Sequence, residues 1–293
     1  QRMKTLGVRT PFLKLRQAIN YINLTELKED VRNIGKEIET QGLPAEIGPF
    51  ITGFFGYGHV SEGAQEIYDL LPAAEISPSE LAETVEKGYF SLHRVYKVVF
   101  KEEDMVRPAG HFSFDLNDYY HQPEKYYPVT DNYLPYLSVL INAIFWTPRY
   151  PKFVTRKVLE NLYSGQAQPR LQVIGDITCD INGSLECTVR ATDSEQPVYV
   201  FDPVSGQTLD GLEGRGPVVM AVYNLPAELP LESSTYFSQQ LKNYIPGLAR
   251  ADFNQTFEQI ELDPVVRRAV IAYRGELTPG YQYLNEYLKD LKS

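Results

Sequence analysis

An α/β fold is predicted: a mostly parallel sheet with helices on both faces, followed by a C-terminal helical segment. Three features predict it. Short apolar runs bounded by glycine, proline or polar clusters recur along the chain, which is how strands buried on both faces read. Amphipathic stretches of helical period separate most of these runs, giving the strand–helix alternation of a parallel sheet. A glycine-rich segment, Gly56-Tyr57-Gly58-His59-Val60-Ser61, falls between the first run and the helix after it.

The elements follow in order. Residues 1–48 read as a helical lead-in. Leu27, Val31, Ile34 and Ile38 stand at helical spacing within residues 25–41, and Gly42 supplies the stop. Residues 49–55 form the first buried strand. Residues 61–71 read as a helix with Ala64, Ile67, Tyr68 and Leu71 on one face, and residues 73–76 as the second strand. Ser77-Pro78-Ser79-Glu80 is a capping box with proline at the first helical position. Further strands are expected at 94–100, 137–145, 171–177, 197–201 and 218–222, with a helix at 155–163. The last two strands lie close enough in sequence for some antiparallel pairing. Residues 112–130, rich in Tyr, Asp and Pro, read as a surface excursion. After Pro230 the chain reads as helical at 232–244 and 263–273. The expected divisions are therefore 1–48, a dinucleotide-binding domain at 49–230, and a C-terminal helical segment at 231–293 that packs toward another domain.

Composition narrows the function. The 293 residues are 43% hydrophobic and 23% charged, ordinary for a globular protein with a core of useful size. The formal charge is −10 and basic residues are dispersed, which argues against nucleic-acid or anionic-membrane binding. Cys179 and Cys187 are the only cysteines, so no disulfide framework is expected and a reducing compartment fits. No apolar run reaches membrane-span length and the opening residues do not read as a signal peptide. Gln1 as the first residue raises the expectation of a fragment or processed chain. His59, His93, His111 and His121 show no metal-ligand spacing, so no metal site is expected. Ser61 and Ser184 have no base at a telling distance in sequence, which speaks against a nucleophilic hydrolase.

The glycine segment sits in the strand–loop–helix context of a Rossmann-like dinucleotide site. Gly56 permits the tight turn, Gly58 lets the backbone approach a pyrophosphate, and the helix start offers free N–H groups. Tyr57, His59, Val60 and Ser61 complete the candidate loop, with Ser61 in the slot of the third glycine and Gly63 and Ala64 allowing close helix–sheet packing. The plain alternative is a glycine-rich turn without a ligand. The second strand ends without an acid at its tip, and Ser77 there is neutral, which favours NADP over NAD; Ser77 as a mere helix cap stays open. Asn142, Asp176 and Asp180 stand at strand ends where ligands bind in open α/β sheets; capping the next turn is the alternative for the two Asp, and an interior hydrogen-bond partner for Asn142. Trp146 and the tyrosines of residues 119–136 read as packing and surface.

These residues bring a resemblance with them. Gly56 to Ala64 followed by Gln65-Glu66 resembles G-x-G-N-V-S-x-G-A-Q-E of the lysine–2-oxoglutarate reductase (saccharopine-forming) family, the amino-terminal half of alpha-aminoadipic semialdehyde synthases. Leu140 to Trp146 is similar to L-I-N-G-I-Y-W. Asp176-Ile177-Thr178-Cys179-Asp180 with Gly183-Ser184-Leu185-Glu186 is similar to D-I-S-A-D and G-S-I-E, and Asn224 to Pro230 to N-L-P-A-Q-L-P. Thr10-Pro11-Phe12, Asn20-Tyr21 and Pro264 to Arg267 extend the match over almost the whole chain. The departures are His59 where Asn is usual, Tyr223 where Asp is usual, and Ile19 in place of a His.

The resemblance implies a two-domain enzyme that condenses the side-chain amine of lysine with 2-oxoglutarate. Hydride from NADPH then reduces the imine to saccharopine, and NAD remains an alternative cofactor. It also implies an upstream domain carrying the Lys and His of acid–base chemistry, so the catalytic residues are unassigned within residues 1–293. The expected compartment is the cytoplasm, or the mitochondrial matrix in a eukaryote, and a homo-oligomer stays open. Two other readings also stay open: a binding module or pseudoenzyme that senses NADP(H) without turnover, and a related amino-acid dehydrogenase acting on another imino acid.

Overall fold

The computed structural model describes residues 1–165 and 168–288. The chain forms two units, Gln1–Leu229 and a second from Pro230 onward, each described by itself. The first unit opens with a short helix, α1 (Arg2–Thr5), and the long α2 (Leu24–Gln41). The Asn23 side chain accepts from the Glu26 N–H to start α2, and Gly42, at φ 77°, ends it. A left-handed residue at that point suits glycine, which has no Cβ to clash. The expected apolar stripe is the buried one: Val31, Ile34, Gly35 and Ile38 turn inward.

The sheet elements then follow: β1 (Ile51–Phe55), α3 (His59–Tyr68), β2 (Ala73–Glu75), α4 (Leu81–Glu86) and β3 (Val95–Phe100). Next come α5 (Glu102–Met105), β4 (Val106–Pro108), α6 (Leu116–His121), β5 (Tyr126–Pro128), β6 (Val139–Asn142), α7 (Arg156–Tyr163) and β7 (Val173–Asp176). The unit closes with β8 (Val198–Phe201), β9 (Thr208–Asp210) and β10 (Val218–Met220). Eight strands form one sheet in the order β2-β3-β1-β6-β7-β10-β8-β9. The six from β2 to β10 pair in parallel, whereas β8 runs antiparallel to β10 and to β9. All five residues of β1 are buried, as expected for a strand covered on both faces.

Alternation along β3 shows the two faces. Tyr96, Val98 and Phe100 join one core with Phe55, Leu140, Ile174 and Leu159 of α7. Val95 joins the other, with Ile34 and Ile38 of α2 and Tyr68 of α3. The fold is thus the expected α/β, Rossmann-like sheet. Its strand order carries one departure. The second strand in sequence lies at the sheet edge, and the third is inserted between it and β1.

Residues 112–130 differ in part from expectation. Most of them are exposed, yet they form α6 and β5, which pairs with β4, and bury Tyr119 and Tyr126 in the core with their rings edge-on at 5.3 Å. Large tyrosine rings bury enough apolar area to hold such a segment down, while the Tyr126 hydroxyl donates to Asp118 Oδ2 at 3.0 Å.

The second unit contains α8 (Pro230–Leu241), α9 (Ile245–Arg250), α10 (Pro264–Ala269) and α11 (Asn285–Leu288). The helix expected to reach residue 273 stops at Ala269. Ala272–Tyr273 and Glu276–Leu277 pair instead as a β11–β12 hairpin across Arg274 and Gly275, both at positive φ. Residues 289–293 of the expected C-terminal segment lie outside the described residues, as do residues 166 and 167 of the preceding one. Among the described residues no helix is long and apolar enough to cross a membrane.

Candidate functional site

After β1 the chain passes through α3 toward β2 and β3 on one side, while β6 lies on the other. The C-terminal ends of β1 and β6 therefore part company at a topological switch point, the place where open α/β sheets form a ligand crevice. The β1 register with β6 brings Phe55 opposite Asn142, so the loops 56–58 and 143–145 leave the sheet side by side. The Ala143 N–H donates to the Phe55 carbonyl at 3.0 Å, and the Gly56 N–H to the Phe100 carbonyl at 3.1 Å. Two cavities meet along Gly58, Ala143, Ile144 and Phe145. One, of about 450 Å³, is lined further by Tyr57, Glu102, Tyr119, Tyr120 and Tyr150. The other, of about 590 Å³, is lined by His59, Val60, Trp146, Ile177, Thr178 and Asp180. Phe145, 83% exposed, stands at the lip shared by both.

The two loop glycines do different things. Gly56 has φ +92°, and a Cβ there would lie 2.9 Å from the Ala143 carbonyl oxygen, so glycine is required by backbone and by neighbour alike. Gly56→Ala is expected to destabilise the chain by about 1–3 kcal/mol, read as a lower denaturant midpoint. Gly58 is extended, at φ −78° and ψ 179°, and a Cβ there meets nothing within 4 Å. Open space over that residue is what a ligand approaching the backbone needs.

Gly58 is also the N-cap of α3 and supplies no side-chain bond. The N–H groups of His59, Val60 and Ser61 have no hydrogen-bond partner among the described residues; the Glu62 N–H is the first to bond, to the Gly58 carbonyl at 2.9 Å. The start of this ten-residue helix lines the crevice through Gly58, His59 and Val60, and free donors at its positive end fit a pyrophosphate. The His59 side chain is fully exposed, with Nδ1 3.1 Å from Glu62 Oε2. Tyr57 and Val60 are exposed as well.

Ser61, in the third glycine's slot, keeps its side chain away from the crevice. It is fully buried, and its Oγ accepts from Gln65 Nε2 at 3.0 Å. A small residue in that slot lets the helix approach the sheet, which is the third glycine's task. Gly63, expected to help the same packing, is exposed with open space around it.

Beneath the crevice, Asn142 and Asp176 end the neighbouring strands β6 and β7 in register. They are 0% and 1% exposed and therefore cannot offer their side chains to a ligand on the surface, as the sequence had suggested. Asn142 Nδ2 donates to Asp176 Oδ1 at 2.8 Å and to Ser184 Oγ at 3.1 Å. Thr188 Oγ1 donates to Asp176 Oδ2 at 2.6 Å, and the Cys179 N–H to Oδ1 at 3.1 Å. The Asn142 carbonyl accepts the Ile177 N–H at 2.9 Å, and Thr178 Oγ1 donates to the Ile144 carbonyl at 2.8 Å. This network ties the loops after β6 and β7 together.

Burial pushes the Asp176 carboxyl above its ordinary range, against the pull of Thr188, Asn142 and Cys179. Asp180 is half-buried at the cavity wall; burial and then the Asp176 charge raise its carboxyl too. Cys179 and Cys187 are unpaired, and burial raises both thiols, so neither is a poised nucleophile. Among the described residues no group of His, Cys, Asp or Glu could hold a metal ion.

Ser77 stands apart from all of this. It leaves the edge strand β2, and its hydroxyl and N–H both donate to Glu80 Oε2, at 2.7 and 2.8 Å. Ser184 and Thr188, as partners of the buried pair, and Glu102 and Tyr120, at the crevice, carry no local signal in the sequence. Only the strand order shows that these come together.

Among known proteins, the alanine dehydrogenase/PNT C-terminal domain family matches residues 129–280, just over half of the chain. An alpha-aminoadipic semialdehyde synthase from Arabidopsis thaliana is 39% identical over 97% of the chain, and the chain covers 27% of that protein. The mitochondrial alpha-aminoadipic semialdehyde synthase of Bos taurus is 34% identical over 97% of the chain, which covers 32% of it. The chain thus spans about a third or less of these relatives' length. An L-alanine dehydrogenase structure aligns with 95% of the chain and 65% of its own, at 18% identity and a TM-score of 0.47. The ordered sequence motifs had pointed to the same semialdehyde synthase relatives. With the family matched over half its length, the chain belongs to the alanine dehydrogenase/PNT C-terminal domain family, an amino-acid-dehydrogenase type of oxidoreductase that uses a nicotinamide cofactor.

Proposed function

We propose that this chain is the cofactor-binding part of an NADP(H)-dependent oxidoreductase that condenses L-lysine reductively with 2-oxoglutarate to give saccharopine. The observation that carries the reading is the start of α3, without a side-chain cap, which lines a crevice through Gly58, His59 and Val60 and leaves open space above Gly58. The names of the curated relatives support placing the substrate in lysine metabolism. The N–H groups of His59, Val60 and Ser61 would hold the pyrophosphate. The Asn142–Asp176 network would keep the loops 143–146 and 177–180 in place around the nicotinamide half. When bound, the nicotinamide supplies hydride chemistry, and the protein's share is to orient it and exclude water. Asp180, its carboxyl raised and facing the cavity, is placed to hold a proton or pair with an amine. The principal acid–base pair is assigned to an upstream domain, as the resemblance implies. The bovine relative is named mitochondrial, which suits the matrix as the compartment of a eukaryotic form.

A second reading, an NADP(H)-binding module without turnover, is favoured by one observation. The ionisable side chains lining the larger cavity are only His59, exposed and paired with Glu62, and Asp180. The test is a calorimetric titration of the chain with NADPH and NADH, followed by NADPH consumption with lysine and 2-oxoglutarate. The chain alone should bind dinucleotide without turnover, and a form carrying the upstream domain should form saccharopine. Binding without turnover in both forms would favour the module. Robust saccharopine formation by the chain alone would overturn the assignment of acid–base chemistry elsewhere and make Asp180 and His59 the first residues to mutate.

A further inference from the structure

The strand flanking β1 on the side away from β6 is β3, not β2. A dinucleotide crossing the crevice with its pyrophosphate over Gly58 extends its adenosine half toward that flank, so the strand tip there meets the ribose. Sequence order alone would put this tip at Ser77. The insertion of β3 moves it to the residues after Phe100. Phe55 pairs with Phe100, and the Gly56 N–H bonds the Phe100 carbonyl, so the next residue, Lys101, stands beside the glycine loop.

Lys101 is exposed, its Nζ lies 5.9 Å from the centroid of the Tyr57 ring, and it forms no ion pair among the described residues. Two of the three carboxylates that follow it are tied back. Tyr120 donates to Glu102 Oε1 at 2.7 Å, and the Lys101 N–H donates to Asp104 Oδ2 at 2.9 Å. Glu102 shares the smaller cavity with Gly56, Tyr57 and Gly58, which places this strand tip at the crevice itself.

We infer that Lys101 is the cofactor-specificity residue, its ammonium taking the 2′-phosphate of NADP(H) beside the Tyr57 ring. This rests on the dinucleotide reading of the same crevice. An unpaired cation at that position discriminates by charge, because NAD(H) carries a hydroxyl where NADP(H) carries a phosphate. Ser77, with both its polar groups committed to Glu80, plays no part in the choice.

The test measures Kd for NADPH and NADH by calorimetry on the chain and on Lys101→Ala, Lys101→Arg and Ser77→Asp. The wild type should prefer NADPH. Lys101→Ala should weaken NADPH by about 10- to 100-fold, the value of one charge-assisted contact, and leave NADH within a factor of about two. Lys101→Arg should keep the preference, and Ser77→Asp should not change it. A wild type that binds both dinucleotides with a ratio unmoved by Lys101→Ala overturns this inference and leaves the dinucleotide site standing. A reversal by Ser77→Asp also overturns it. A wild type that binds neither dinucleotide overturns both.

Discussion

Gly58→Val is expected to abolish dinucleotide binding and leave the chain folded, its melting temperature lowered by only a few degrees at about 0.5–1 kcal/mol. The backbone at Gly58 is extended, a conformation valine adopts readily, and a Cβ there meets no heavy atom within 4 Å. The folded state therefore loses little beyond valine's weaker fit at the N-cap, roughly 0.5–1 kcal/mol. The ligand loses more: a branched side chain fills the space through which a pyrophosphate reaches the N–H groups of His59, Val60 and Ser61. The loss should be on the order of 100-fold or more in Kd, about 2.8 kcal/mol at 1.4 kcal/mol per tenfold. Calorimetry against NADPH and a thermal melt check it together. Undiminished affinity in a folded variant would remove Gly58 from the site. The contrast with Gly56→Ala is the diagnostic part, since one glycine serves the fold and the other the ligand.

Asp176→Ala should be among the most destabilising single changes in the first unit, at about 3–5 kcal/mol. It removes the shared acceptor of three donors at once: Thr188 Oγ1, the partly buried Cys179 N–H and Asn142 Nδ2, which keeps only its bond to Ser184 Oγ. Asp176→Asn keeps the shape and an acceptor for two of them, so it should cost about 1–2 kcal/mol. The pH dependence separates the roles. Burial raises the Asp176 carboxyl, so the folded chain holds a proton more readily than the unfolded one. The penalty for ionising it is absent below the unfolded value and grows as pH rises through the folded value. The deficit of Asp176→Asn relative to wild type should therefore shrink between acidic and neutral pH, measured by denaturant unfolding. A deficit that widens with pH would show that the carboxylate is held in its ionised form.

Much of this molecule was legible in its residues. The long second helix announced itself through Val31, Ile34 and Ile38 and its glycine stop, and the strands did so as apolar runs, because these signals are local. The glycine loop was legible for the same reason, being one strand, one turn and one helix start. Strand order was not, since pairing joins residues far apart in sequence and the alternation of elements fits several orders. That is why Ser77 stood in for Lys101. Burial of a polar side chain was equally hidden: Asn142 and Asp176 look the same in sequence whether they face a ligand or one another. The tyrosines of residues 112–130 misled through composition, because Tyr119 and Tyr126 bury rings whose hydroxyls make them look superficial.

A dinucleotide lying across the crevice between β1 and β6 would shield the amides that line it. Amide hydrogen exchange of the chain with and without saturating NADPH tests that placement most directly. A separate cavity, of about 300 Å³, is lined by Phe12, Phe50, Arg170 and Val173 at the opposite end of the strands and serves as an internal control. The account predicts slowed exchange at His59, Val60 and Ser61 and along residues 143–146, with the amides around Phe12, Phe50 and Arg170 unchanged. Slowed exchange around Phe12, Phe50 and Arg170 with no effect at residues 59–61 would contradict it.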